Sequence, residues 1–169
     1  MKVRDITLMA VLTALAVVLS YVEGFIPSIG IPGVKLGFAN IMILITLYAY
    51  GWQYALGVNI LRVFLASLLK GNIFQMGFLM SLTGAMLSLG MMILLKYVLK
   101  KLHIITVSVV GSIFHIAGQI IIAIVMTNTV YVFYYFPVLL LVSVVTGIVV
   151  GLIADRCLKI PVFNKEKDK

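Results

Sequence analysis

Between Ile104 and Ala154 the chain carries no Lys, Arg, Asp or Glu. Two apolar segments of helix length fit there, Ile104 to Met126 and Val130 to Ala154. A run of about 18 or more apolar residues can cross the hydrocarbon of a bilayer, and a crossing element must satisfy its own backbone hydrogen bonds, which favours helices. The earlier chain repeats the pattern over Ile6 to Val22, from Val34 or Phe38 to Tyr50, Trp52 to Leu69 and Ile73 to Tyr97. Between these lie Glu23 to Gly37, with Pro27, Pro32, Gly24, Gly30 and Gly33, then Gly51-Trp52, Lys70-Gly71-Asn72 and the basic stretch Lys96 to His103. Gly and Pro clusters of this kind read as loops. The expected fold is all-α: a polytopic integral membrane protein with six transmembrane helices, the second short enough to be tilted or partly re-entrant.

Composition agrees. With 63% hydrophobic and 11% charged residues, the chain falls well short of the roughly 25% charge of a soluble domain. One membrane domain, residues 1–157, and a short basic cytoplasmic tail, residues 158–169, account for the sequence. The start at Met1 to Arg4 imitates a signal peptide, but no small-residue cleavage site follows Val22, so it is read as a retained first helix. Cys157, the single cysteine, reads as a bland surface thiol beside Asp155 and Arg156.

The net charge of +8 reads as a topology signal and as contact with anionic lipid rather than with nucleic acid. Lys2, Arg4, Lys96, Lys100, Lys101, Arg156, Lys159, Lys165, Lys167 and Lys169 fall on one side of the alternating spans, and only Lys35 and Lys70 on the other. Positively charged loops stay inside, which places both termini in the cytoplasm of a multi-pass protein of the cell membrane.

Against this background the few polar groups within or beside the spans stand out. A charge in hydrocarbon costs at least about 2.5 kcal/mol on insertion scales and marks a protein interior or a pathway. Arg62 lies midway along the third segment with Asn59 three residues before it; His115 and Gln119 are paired four residues apart on the fifth. Glu23, Lys35, Asn40, Asn72 and Gln75 fall in the outer half under the assigned topology, as do Tyr131, Tyr134 and Tyr135, which read as an interfacial belt. Lys35, Arg62 and Lys70 face a single acid, Glu23, a balance that favours an anionic ligand. The loop Glu23 to Gly37 reads as a lid or as a passive connector. Ala10 and Ala14 form a smooth strip on the first helix where another helix can approach, and Gly84, Gly90, Gly147 and Gly151 read as internal packing positions.

Several chemistries lack their residues. No Gly-Lys-Ser/Thr phosphate loop occurs, no His, Cys and acid cluster has metal-ligand spacing, and Asp5, Asp155, Asp168 and two Glu offer no pair for magnesium against a diphosphate. The reading is therefore a binding or transport subunit, not an enzyme, with no metal and no cofactor of its own. A stand-alone channel or secondary carrier is disfavoured because no proton-relay acid lies within the spans.

The run Gly33-Val34-Lys35-Leu36-Gly37-Phe38-Ala39-Asn40, with Arg62, Gly71-Asn72, His115 and Gly118-Gln119, resembles the heptaprenyl diphosphate synthase component I family, also called the Gx transporter family. The resemblance extends over about Ile6 to Ala154, and Phe38 stands where the family pattern has Leu. That family is similar in turn to the S components of energy-coupling factor transporters. The likeness implies a six-helix subunit that binds a small solute near the outer surface under the loop after the first helix. It implies partners as well: a transmembrane T component that meets an Ala-x-x-x-Ala strip, here Ala10 and Ala14, and two ATPases that use the ATP. The alternative it implies is a membrane accessory subunit, component I, of heptaprenyl diphosphate synthesis in isoprenoid quinone metabolism, working with a soluble synthase. Under the first reading, Arg62 and Lys35 would pair with ligand charge, His115 and Gln119 would orient it, and Asn40 and Asn72 would hydrogen-bond it; under the alternative the same basic residues would meet a diphosphate from the cytoplasmic side.

Overall fold

The computed structural model describes residues 3–25, 35–99, 101–160 and 163. Its elements are α1 (Val3–Glu23), α2 (Asn40–Tyr50), α3 (Trp52–Leu69), α4 (Met76–Val98), α5 (Ile104–Thr127), a 3-10 segment Val130–Tyr135 and α6 (Phe136–Leu158). Among the described residues there is no strand. Much of the proposed lid, residues 26–34, and most of the tail lie outside the described residues, as do Lys2 and Lys100.

Five of these segments, α1, α3, α4, α5 and the 3-10 segment with α6, are long and apolar enough to cross a membrane. The chain is a multi-pass helical membrane protein. The second expected span differs, because α2 has 11 residues. At 1.5 Å per residue it covers about 16 Å, roughly half of a hydrocarbon core.

Other boundaries follow local chemistry. Segment three matches Trp52–Leu69 as expected. Helix α4 begins at Met76 rather than Ile73, because Gly71 at φ 64° and Phe74 at φ 63° turn the chain out of helical geometry first. The last segment opens as a 3-10 turn, and the α-helix proper starts with Pro137 in its first turn, where a missing N–H leaves no helical carbonyl without a donor.

Helix α2 is central. It packs against α1, α3, α4 and α6, while α3, α4, α5 and α6 succeed one another around it and α1 lies on α3 and α2. Its Ile43, Leu44, Ile45 and Leu47 are buried with Leu12 and Ala16 of α1, Ala55 and Val58 of α3, Leu89 and Met92 of α4, and Val107 and Val150. A second cluster joins Met80, Ile116, Ile120, Ala123 and Leu139.

Lipid is as apolar as a leucine side chain, so membrane helices associate through close packing at small residues. A Cβ on Gly118 would come within 2.8 Å of the Gly84 Cα; on Gly147, within 2.7 Å of the Val109 Cα; on Gly151, within 2.8 Å of the Ile105 Cα. These glycines set the approach of α4 to α5 and of α5 to α6. Gly90 does not belong with them, for a Cβ there would meet nothing within 4 Å. Ala10 and Ala14 lie on the exposed face of α1, in line with Val11, Leu15 and Val18.

Candidate functional site

Polar residues from all six α-helices meet where residues 35–39 lead into α2. Gly37 has φ 90°, a conformation that glycine adopts without strain, and its carbonyl accepts from the Asn40 N–H at 2.9 Å to start the helix. The Gly37 N–H donates to the Glu23 carboxylate, and so does the Phe38 N–H, at 3.2 Å to the same oxygen. Glu23, the last residue of α1, is 5% exposed. The two ends of the segment after α1 are thus joined through one side chain.

Gln119 of α5 binds the main chain of Lys35 on both sides. Its Oε1 accepts from the Lys35 N–H at 3.0 Å, and its Nε2 donates to the Lys35 carbonyl at 3.3 Å. The same Nε2 lies 2.8 Å from His115 Nε2. With the amide donating, the imidazole carries its proton on Nδ1, a tautomer assigned from the network. Thr146 of α6 donates to the Leu36 carbonyl at 3.4 Å, and the Lys35 amine donates to the Ser81 hydroxyl of α4 at 2.6 Å.

Arg62 organises the neighbouring half of the site. It is 3% exposed; its Nε donates to Asn59 Oδ1 and its Nη2 to Asn40 Oδ1, both at 3.0 Å. Asn59 in turn donates to the Ala85 carbonyl at 2.9 Å, and Asn40 to the Ser88 hydroxyl at 3.4 Å. A Cβ on Gly84 would lie 2.7 Å from the His115 carbonyl oxygen and 3.0 Å from Gln119 Cγ, so this glycine lets α4 approach the His115 and Gln119 pair.

The charges are distributed unequally. Among the described residues the ion pair is Lys159 with Asp155, at 2.7 Å on the far end of α6, and neither Arg62 nor Lys35 lies within 4.0 Å of a carboxylate oxygen. The Lys70 amine, whose pKa is lowered mainly by burial, donates to the Ser20 carbonyl at 3.1 Å and lies 5.7 Å from the centre of the Tyr21 ring. This end of the bundle therefore holds three cations and one acid.

Of the expected residues, the structure brings together Glu23, Lys35, Asn40, Asn59, Arg62, His115 and Gln119. Asn72 and Gln75 make none of the hydrogen bonds that join this network. Gln75 is exposed at the N-cap of α4 with no capping bond, and the Asn72 Oδ1 is buried without a partner among the described residues. The turn at Gly71 and Phe74 delays the helix and leaves both before its first turn. Tyr131 and Tyr134 are 74% and 78% exposed and stacked on each other, in keeping with an interfacial belt. Sequence reasoning missed Ser81, Ser88 and Thr146. For the two serines the signal was the small face Ser81, Gly84, Ala85 and Ser88 of α4, repeating every three or four residues.

A family model described as heptaprenyl diphosphate synthase component I matches residues 12–157. No curated protein and no solved structure matches the chain. The match runs from α1 to the end of α6 and includes every residue of the polar network. The chain belongs to the heptaprenyl diphosphate synthase component I family.

Proposed function

We propose that this chain is the substrate-binding membrane subunit, or S component, of an energy-coupling factor type importer, capturing a small anionic solute from outside the cell. The observation that carries the reading is the pair Arg62 and Lys35. Both are drawn into the bundle on neutral partners, Asn40, Asn59 and Ser81, with no carboxylate of the described residues in ion-pair range. A buried cation without a counter-charge is expensive, and an anion at this position would supply one.

Location supports the same reading. The network gathers near the end of α1, the start of α2 and the middle of α3 and α5, away from the basic stretch Lys96 to His103 and from Arg156. With both termini cytoplasmic, that half of the bundle faces outward. Six crossings result if α2 and residues 35–39 together make the second. Ala10 and Ala14, on the exposed side of α1, would receive the T component, and ATP would be used by the two ATPases. Replacing Arg62 with Ala is the direct test: the variant should elute as a folded protein in detergent yet lose the small molecule that native mass spectrometry finds on the wild type. Retention of that molecule by the variant rejects the role.

The family's description favours a second reading, a membrane accessory subunit of heptaprenyl diphosphate synthesis, and it is the reading which that match supports directly. The same two cations would then hold a diphosphate, reached from the cytoplasmic side, and the partner would be a soluble prenyltransferase. Co-purification separates the two, since one predicts a T component with ATPases and the other a synthase.

A further inference from the structure

We infer that the Glu23 carboxylate is a resident stand-in for the ligand's own anionic group: it holds the main-chain donor pair of Gly37 and Phe38, and an oxyanion binds by displacing it. This rests on the anion-binding reading above and names the subsite that the ligand's oxygen enters.

The inference begins from an unusual distribution of partners. A buried carboxylate close to a guanidinium ordinarily pairs with it, because charge-assisted bonds of that kind are the strongest available. Glu23 instead accepts from the two N–H groups of Gly37 and Phe38. The donors of Arg62 go to the neutral amide oxygens of Asn40 and Asn59, and the Lys35 amine goes to a hydroxyl. The acid that the described residues bring to the site is committed to main-chain donors, and both cations keep their charge for something else.

The donor pair is built into the site and is not a detached turn. At Gly37, whose φ is 90°, a Cβ would lie 3.1 Å from Asn40 Nδ2 and 3.4 Å from His115 Cδ2. A side chain at this position would thus run into Asn40 and His115, which belong to the same network as Arg62 and Gln119. Adjacent N–H groups converging on one oxygen hold a carboxylate or a phosphate oxygen equally well. Glu23 demonstrates the fit with its own oxygen.

Two consequences follow. Displacing Glu23 leaves Arg62 and Lys35 opposite the incoming group, so a dianion is preferred to a monoanion of the same size. In addition, Glu23 joins the end of α1 to the start of α2, and its release unfastens that junction in the same event that admits the ligand.

The test uses the full chain in detergent, titrated with inorganic pyrophosphate and separately with succinate, so that phosphate and carboxylate sources are told apart. Glu23→Gln and Glu23→Ala should bind at least one of these anions about tenfold or more tighter than the wild type, the scale of one charge-assisted hydrogen bond. A second measurement needs no variant: modification of Glu23 by a hydrophobic carbodiimide, read by peptide mass spectrometry, should rise at saturating anion while that of Asp155 stays constant. Equal or weaker binding by the variants, or no rise in Glu23 modification, overturns the stand-in and leaves the anion site intact. If neither the wild type nor either variant binds either anion, the anion-binding reading falls together with it.

Discussion

The Arg62 guanidinium reaches from the middle of α3 to the first residue of α2, donating through Nη2 to the Asn40 side-chain oxygen at 3.0 Å. Its Nε makes a second bond, equally long, to Asn59. A planar guanidinium addresses two oxygens in fixed directions, which the rotating amine of lysine does not reproduce. Arg62→Lys should keep the charge, weaken anion binding by about tenfold, and lower stability by about 1 to 3 kcal/mol for the buried acceptor left without its donor. Thermal unfolding in detergent and a pyrophosphate titration read the two effects separately.

Gly37 offers a test of the main-chain geometry. With φ at 90° and Asn40 Nδ2 only 3.1 Å from a prospective Cβ, Gly37→Ala should destabilise the protein by roughly 1 to 2 kcal/mol from backbone strain alone. The shift should appear in the unfolding temperature, together with loss of the Glu23 contact.

Glycines 84 and 90, both in α4, should behave oppositely. A Cβ at Gly84 meets the His115 carbonyl oxygen at 2.7 Å, whereas one at Gly90 meets nothing within 4 Å. Gly84→Ala should cost about 1 to 3 kcal/mol by forcing α4 from α5. Gly90→Ala should be neutral or stabilise by up to about 1 kcal/mol, the helix-propensity gain of alanine. Equal melting temperatures for the two variants would contradict the helix packing described above.

Lys35 offers a test of the second cation. Its amine donates to the Ser81 hydroxyl at 2.6 Å, so Lys35→Met removes a positive charge from the site. Pyrophosphate binding should weaken by about tenfold, the scale of a hydrogen bond to a charged group, and calorimetry in detergent measures the loss.

Sequence made much of the network legible because a polar side chain inside an apolar helix has few other reasons to be there. Arg62 with Asn59, and His115 with Gln119, declared shared faces through their spacing of three and four, and the structure joins both pairs. What escaped was the main chain. Gln119 addresses the backbone of Lys35, and Glu23 the backbone of Gly37 and Phe38, contacts to which any residue type contributes the same atoms. Asn72 and Gln75 stand outside the network for a related reason: their residue types suit the site, but the positive φ of Phe74 postpones α4 past them. The shortness of α2 was legible, since the segment from Val34 or Phe38 to Tyr50 already read as short enough to be tilted or partly re-entrant, but its start was not: the turn at Gly37 sets the first helical residue at Asn40.

Helix α2 is held at its far end as well, where the Lys96 amine donates to the Leu47 carbonyl at 2.7 Å with the Tyr48 ring 4.8 Å away. A long apolar helix finds its depth by matching its length to the hydrocarbon, tilting when the bilayer thins. Held by Arg62 at its first residue and by Lys96 near its last, α2 takes its depth from α3 and α4 instead. Changes in lipid chain length should tilt the outer helices, yet leave the floor on which Asn40 stands at a constant height relative to Arg62.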